Sequence, residues 1–143
     1  MNYFEESLIN HKKTAGKWEI KSKFPLKNKD DLSIAYTPGV ASVCNEIKNN
    51  SNTMYDLSMK GNSVAIVSDG SAVLGLGDIG PKAALPVMEG KAILFKEFAG
   101  IDGIPIVINA HSIDDIVTTV KTVAPTFGGI NPEDIKTHKC VNL

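Results

Sequence analysis

No run of this sequence approaches the roughly 20 apolar residues that a membrane-spanning helix requires. The first ten residues, MNYFEESLIN, have no apolar centre of signal-peptide type. These absences exclude a helical membrane span of ordinary length within the 143 residues and point to a cytoplasmic chain. Cysteine is scarce. Cys44 and Cys140 are too far apart for a metal-type spacing, and both are expected as buried or half-buried reduced thiols. Charge of one sign is also lacking: the formal net charge is −1, and the lysines are scattered with acids between them. No basic stripe marks a nucleic-acid surface. There is no repeat and no low-complexity tract. The three histidines, His11, His111 and His138, show no ligand spacing and are expected on the surface or in loops. No Ser/His/Asp or Cys/His arrangement suggests nucleophilic catalysis.

What is present is the composition of an ordinary globular protein, of a length suited to one domain. A short helical pattern runs around Tyr3 to His11, and Lys21 to Lys29 reads as an exposed connector. Asp30 and Asp31 suit a helix start, and that helix ends at Tyr36-Thr37-Pro38-Gly39. Pro38 fits the first position of a second helix through Val40, Val43 and Ile47. A further short helix is expected from Thr53 to Leu57. Asn62 to Val67 reads as a buried strand between Gly61 and Asp69-Gly70. Pro81 can open a long helix through Phe98, in which Pro86 and Gly90 predict a kink or break, with Gly100 as the stop. Ile104 to Ile108 reads as a second strand, with Pro105 near its start. Ser112 caps a helix over Ile113 to Val123, with Asp115 at the acid position of a capping box. Phe127 to Ile130 is a short strand or turn, and Asn131-Pro132-Glu133-Asp134 has the form of one more helix start. Strands alternating with helices predict an α/β fold, a small sheet flanked by helices.

Gly75-Leu76-Gly77-Asp78-Ile79-Gly80 matches a G-x-G-x-x-G pattern. The dinucleotide fingerprint also needs a strand immediately before it, a helix opening inside it and an acid at the next strand's end. Asp69-Gly70-Ser71 separates the strand from these glycines, and the acid at the right distance, Glu97, falls in a helix. A tight structural loop is the simpler reading. A loop bordering a substrate anion through its backbone N–H groups is the other.

Three further features carry chemistry. Tyr36, at a helix end, is either a core aromatic with a wet tip or a hydroxyl projecting into a cleft. Lys91, in Met88-Glu89-Gly90-Lys91-Ala92-Ile93, has mostly small or apolar neighbours. Such a lysine either reaches solvent beside Glu89 or is partly buried, which lowers its pKa toward use as a base. Adjacent Glu133 and Asp134 either serve a helix start or supply two oxygens to one hard cation.

Five segments in order resemble the N-terminal domain of malic enzymes, especially the short bacterial type. They are Asp31 to Ala41 (DLSIAYTPGVA), Ser68 to Gly80 (SDGSAVLGLGDIG), Pro86 to Lys91 (PVMEGK), Phe98 to Asp102 (FAGID), and Pro125 to Asn131 (PTFGGIN) with Glu133-Asp134-Ile135. The resemblance covers nearly the whole chain. It implies that residues 1–143 are the malic-enzyme N-terminal domain, and that the chain stops before the C-terminal NAD(P)-binding domain. The implied activity is oxidative decarboxylation of L-malate to pyruvate and CO2 with reduction of NAD+ or NADP+, requiring Mg2+ or Mn2+. This chain would be inactive alone. Tyr36 would be the proton donor and Lys91 the proton acceptor and a substrate-binding residue. Glu133 and Asp134 would bind the metal, with a third acid expected further along the chain. A homodimer is implied, with no nucleic-acid or membrane partner. A non-catalytic assembly module keeping the same fold is the competing reading. Larger family members carry an arginine in the segment matching Asp69 to Leu74, and this chain has none there.

Overall fold

A computed structural model describes residues 2–136. In chain order the helices are α1 (Tyr3–Thr14), α2 (Lys29–Ala35), α3 (Val40–Asn49), α4 (Met54–Leu57), α5 (Gly80–Ala99) and α6 (Ile113–Val123). The strands are β1 (Ser63–Ser68), β2 (Asp102–Val107) and β3 (Gly129–Pro132). The residues up to Trp18 together with those from Asn62 onward form one compact unit, and Glu19–Gly61 form another.

The first unit is built on a three-stranded parallel sheet of order β2-β1-β3. Its central strand is buried on both faces, which explains why Ser63 to Ser68 reads as a continuous apolar run rather than an alternating one. Ala65 and Val67 point to the face covered by α6, where Ile116 is fully buried. Ile66 points to the opposite face, against Met88 and Ala92 of α5. Gly103 allows α5 to lie this close: a Cβ there would stand 2.9 Å from the Ala92 Cα. The Trp18 indole N–H donates to the Gly103 carbonyl at 3.0 Å and ties the residues after α1 to the same place.

α5 runs as one 20-residue helix with Pro86 inside it, ending at Gly100 in a left-handed conformation. The break expected at Pro86 and Gly90 does not occur, because Ala84, Met88 and Ala92 bury one continuous stripe against the sheet. α6 begins with the expected capping box between Ser112 and Asp115. Pro105 lies within β2 and Pro132 closes β3, and both are edge strands.

The helix expected at Asn131 to Asp134 is a correction. Asn131 and Pro132 belong to β3, and the ladder extends through the Glu133 N–H, which donates to the Val67 carbonyl at 2.9 Å. Asp134 has φ +53°, a left-handed conformation that stops any helix from starting there. Pairing with β1 overrides every local mark of a helix start.

In the second unit, Asn28 caps α2 by accepting the Asp31 N–H at 2.8 Å. Tyr36 ends that helix and donates its N–H to the Leu32 carbonyl. Pro38 sits in the turn after it, and α3 starts two residues later than expected, with Gly39 as its cap. Gly39 is required there, since a Cβ would meet the Ser33 carbonyl oxygen at 2.7 Å. Cys44 is exposed, contrary to expectation: no residue of α3 is fully buried, and its half-buried positions are taken by Val40, Val43 and Ile47. Cys140 and His138 lie outside the described residues. No helix among the described residues is long and apolar enough to cross a membrane.

Candidate functional site

In open parallel sheets, ligands bind beyond the carboxyl ends of the strands, where neighbouring connections leave in opposite directions. Here the connection leaving β1 runs through α5 on one face of the sheet and the connection entering β3 runs through α6 on the other, so the carboxyl ends of these two strands border the candidate site. β1 runs into Ser68-Asp69-Gly70, and β3 runs into Glu133 and Asp134. Asp69 is buried, and its Oδ1 accepts the Ser71 N–H at 3.0 Å. Gly70, at φ +67°, packs so tightly that a Cβ would meet the Gly80 carbonyl oxygen at 2.3 Å.

Lys91 projects from α5 toward the end of β3. Its Nζ lies 3.1 Å from Glu133 Oε2, with both side chains about one-third exposed. The Asn131 amide donates to the same oxygen at 2.8 Å. A half-exposed ion pair contributes about 1 kcal/mol or less, so its value is positional. Two donors converge on Oε2, and Oε1 has no hydrogen-bond partner among the described residues. Glu89 does not pair with Lys91. Its Oε2 accepts the Lys17 backbone N–H at 3.0 Å instead.

Asp134 stands beside this pair, half-buried. Its carboxyl is held above the ordinary carboxylate range, first by burial and then by the Glu133 charge, with Lys91 acting in the opposite direction. Two carboxylates that repel one another, one with a free oxygen, fit two ligands of a hard divalent cation. No group of three His, Cys, Asp or Glu side chains occurs in a metal-holding arrangement among the described residues. Glu133 and Asp134 could supply at most two side-chain ligands to such a cation.

An open groove of about 690 Å³ joins these groups. Lys91, Glu133 and Asp134 line one part, and His11 and Lys17 another. His11 was expected as an unremarkable surface residue. It is half-buried on α1, with its Nε2 2.7 Å from Lys17 Nζ. No spacing rule would have found this pair, because the chain reverses between them through Ala15 and Gly16, both at positive φ.

Tyr36 belongs to the other unit, where it is 67% exposed at the end of α2. The glycine-rich loop holds no nucleotide fingerprint. α5 opens only at the last glycine, Gly80. Within the loop the Leu76 and Gly77 N–H groups donate to the Val73 carbonyl, and those of Ile79 and Gly80 to the Gly70 carbonyl. These four donors are engaged by the loop itself and are not presented to an anion.

A small three-stranded parallel sheet flanked by helices, with a lysine–carboxylate cluster at its carboxyl end, defines an α/β domain. The family described as "Malic enzyme, N-terminal domain" matches residues 15–143, and the chain belongs to it. It is 58% identical over 140 residues to the bifunctional malic/malolactic enzyme of Bacillus subtilis (strain 168), covering 98% of this chain and 34% of that protein. It is 52% identical over 143 residues to the NAD-dependent malic enzyme of Geobacillus stearothermophilus, covering 100% and 30%. The crystal structure of malic enzyme from Pyrococcus horikoshii Ot3 superposes with a TM-score of 0.94 at 50% identity, over 97% of this chain and 33% of that one. The chain therefore spans about a third of the length of the curated relatives it matches.

Proposed function

We propose that these residues form the substrate-binding and acid–base part of an enzyme that oxidatively decarboxylates L-malate to pyruvate and CO2. The observation that carries this reading is the Lys91–Glu133 contact at 3.1 Å, with Asp134 beside it, in one groove at the carboxyl end of the sheet. Relatives carry the names NAD-dependent and NADP-dependent malic enzyme, so the hydride acceptor is NAD+ or NADP+. The Gly75–Gly80 loop, with its N–H groups engaged internally, is not the site of that nucleotide. The whole enzyme works as a cytoplasmic homodimer.

Lys91 is the proton acceptor. In its neutral form, after the ammonium has given up a proton, its amine takes the proton of the C2 hydroxyl as that carbon passes hydride to NAD+ or NADP+, and it also binds the substrate there. Tyr36 is the proton donor, and its phenol returns a proton to C3 after CO2 has left. Glu133 and Asp134 hold Mg2+ or Mn2+, which when bound polarises the carbonyl forming at C2 and stabilises negative charge as CO2 departs. Asn131 and Lys91 fix the Glu133 carboxylate by engaging Oε2.

The test is a chimera in which residues 1–143 replace the matching segment of the Bacillus subtilis relative. It should reduce NAD+ or NADP+ in a malate- and Mg2+-dependent manner. Lys91→Ala and Tyr36→Phe in that chimera should each lose the overall reaction. Normal turnover in both variants would reject the assignment. An inactive but well-folded chimera would favour the assembly-module reading instead.

A further inference from the structure

The groove contains two lysine amines, and only one is paired with a carboxylate. Lys91 bonds Glu133. No acid lies within ion-pair distance of the Lys17 amine among the described residues. Its neighbour is His11 Nε2 at 2.7 Å. His11 Nδ1 lies 2.7 Å from the Ser7 carbonyl oxygen, so Nδ1 bears the proton and Nε2 is an acceptor for the ammonium. The Lys17 backbone is fixed as well. Its N–H donates to Glu89 Oε2, and Gly16, at φ +95°, turns against the same carboxylate. The amine lies against α5 at Gly90, 3.9 Å from where a Cβ would be. Gly90 directly precedes Lys91, and successive Cα atoms are about 3.8 Å apart. A half-buried ammonium, positioned at both ends and left with unused donors, thus lies against α5 at Gly90 and lines the same groove as the ion pair.

We propose that Lys17 is a substrate-binding residue that holds the carboxylate on C2 of a 2-hydroxy dicarboxylic acid, with His11 and Glu89 as its positioning residues. This rests on the reading of the groove as the malate site. All 15 basic residues of the sequence are lysines, so no arginine fork within these residues is available for the task. Of the substrate's two carboxylates, one leaves as neutral CO2. A cation facing that group would bind the ground state better than the transition state and would oppose the reaction. The C2 carboxylate keeps its charge from malate through to pyruvate. Holding it is uniform binding, which acts on KM and on product affinity rather than on kcat.

Kinetics of the chimera test this. Lys17→Met should raise KM for malate by roughly ten- to a hundred-fold, as loss of a charged hydrogen bond does. Product inhibition by pyruvate should weaken by the same factor, with kcat within about three-fold of the parent. Lys17→Arg should recover part of the loss. His11→Gln, which keeps an acceptor near the Nε2 position, should lie closer to the parent KM than His11→Leu. An unchanged KM, or a KM rise without weaker pyruvate inhibition, overturns the proposal. So does a fall confined to kcat. If the parent chimera does not oxidise malate, the malate reading fails, and the Lys17 proposal is decided on the 143-residue chain itself. Trp18 is the only tryptophan and adjoins Lys17. Its fluorescence should respond saturably to pyruvate with Mg2+ present, and Lys17→Met should abolish that response. No response in the parent, or one that survives the substitution, overturns the proposal.

Discussion

Lys91 reaches Glu133 Oε2 across the gap between α5 and the end of β3, at 3.1 Å. The Asn131 amide occupies the same oxygen from within the strand, at 2.8 Å. The carboxylate is therefore oriented by two donors that come from different elements. Asn131→Ala removes one of them without touching charge. Loss of such a supporting hydrogen bond is expected to weaken Mg2+ or Mn2+ activation of the chimera by about 10- to 100-fold. Thermal stability should change little, because the groups are half-exposed. A metal titration of activity alongside a melting curve checks both.

Asp134 predicts an opposite response to the metal. Its folded carboxyl titrates above the ordinary value, so ionisation is harder in the fold than in the unfolded chain. Stability is therefore highest below the unfolded value and declines as pH rises through the folded one. Asp134→Asn removes this cost and keeps a residue type that tolerates positive φ. At neutral pH without metal the variant should melt slightly above the parent, whereas Asp134→Val should melt below it. Any stabilisation of the parent by Mn2+ should be lost in both. A Mn2+-dependent Tm shift preserved in Asp134→Asn would remove this residue from the metal site.

Gly103→Ala should destabilise the first unit by about 1–3 kcal/mol, the usual cost of overpacking. The added methyl would meet the Ala92 Cα at 2.9 Å, and backbone cannot rotate away. Because α5 carries Lys91, the same change should also lower turnover of the chimera. Denaturant unfolding and activity measured together test whether the two effects travel together.

The capping box of α6 gives a pH-dependent prediction. The Asp115 carboxylate accepts the His111 and Ser112 N–H groups, each at 2.9 Å. Its pKa lies below the ordinary value, chiefly through the His111 backbone bond and then through Ser112. A depressed acid contributes stability above its unfolded value and loses it as pH falls through the folded one. Ser112→Ala should cost about 1 kcal/mol at neutral pH. Asp115→Asn should be destabilised at neutral pH, and its difference from the parent should shrink in acid. Melting curves at pH 7 and in acid decide it.

Most of the first unit was legible because its signals are local. An apolar run between glycines marks β1, and Ser112 with Asp115 marks the start of α6. α5 was legible as a helix but not as an unbroken one, since the stripe that keeps it continuous through Pro86 depends on the sheet beneath. The acid pair was legible as residues and not as a place. Asn131-Pro132-Glu133-Asp134 satisfies every rule for a helix start, and only its pairing with β1, more than sixty residues away in sequence, makes it the end of a strand. The His11–Lys17 contact left no trace in sequence spacing, because it depends on a left-handed reversal at Ala15 and Gly16.

The two edge prolines bear on how this sheet meets other chains. Glu133 and Ile108 turn their N–H groups inward, to Val67 and Ser68 of the central strand. Successive residues of a strand alternate in direction, so the nitrogens of Pro132 and Pro105 face outward, where each lacks the hydrogen a docking strand would need. A fourth strand approaching from either side would find a gap in the ladder at that point. The core is thus protected from growing into an extended sheet with its neighbours, even though, among the described residues, no further strand pairs with either flank.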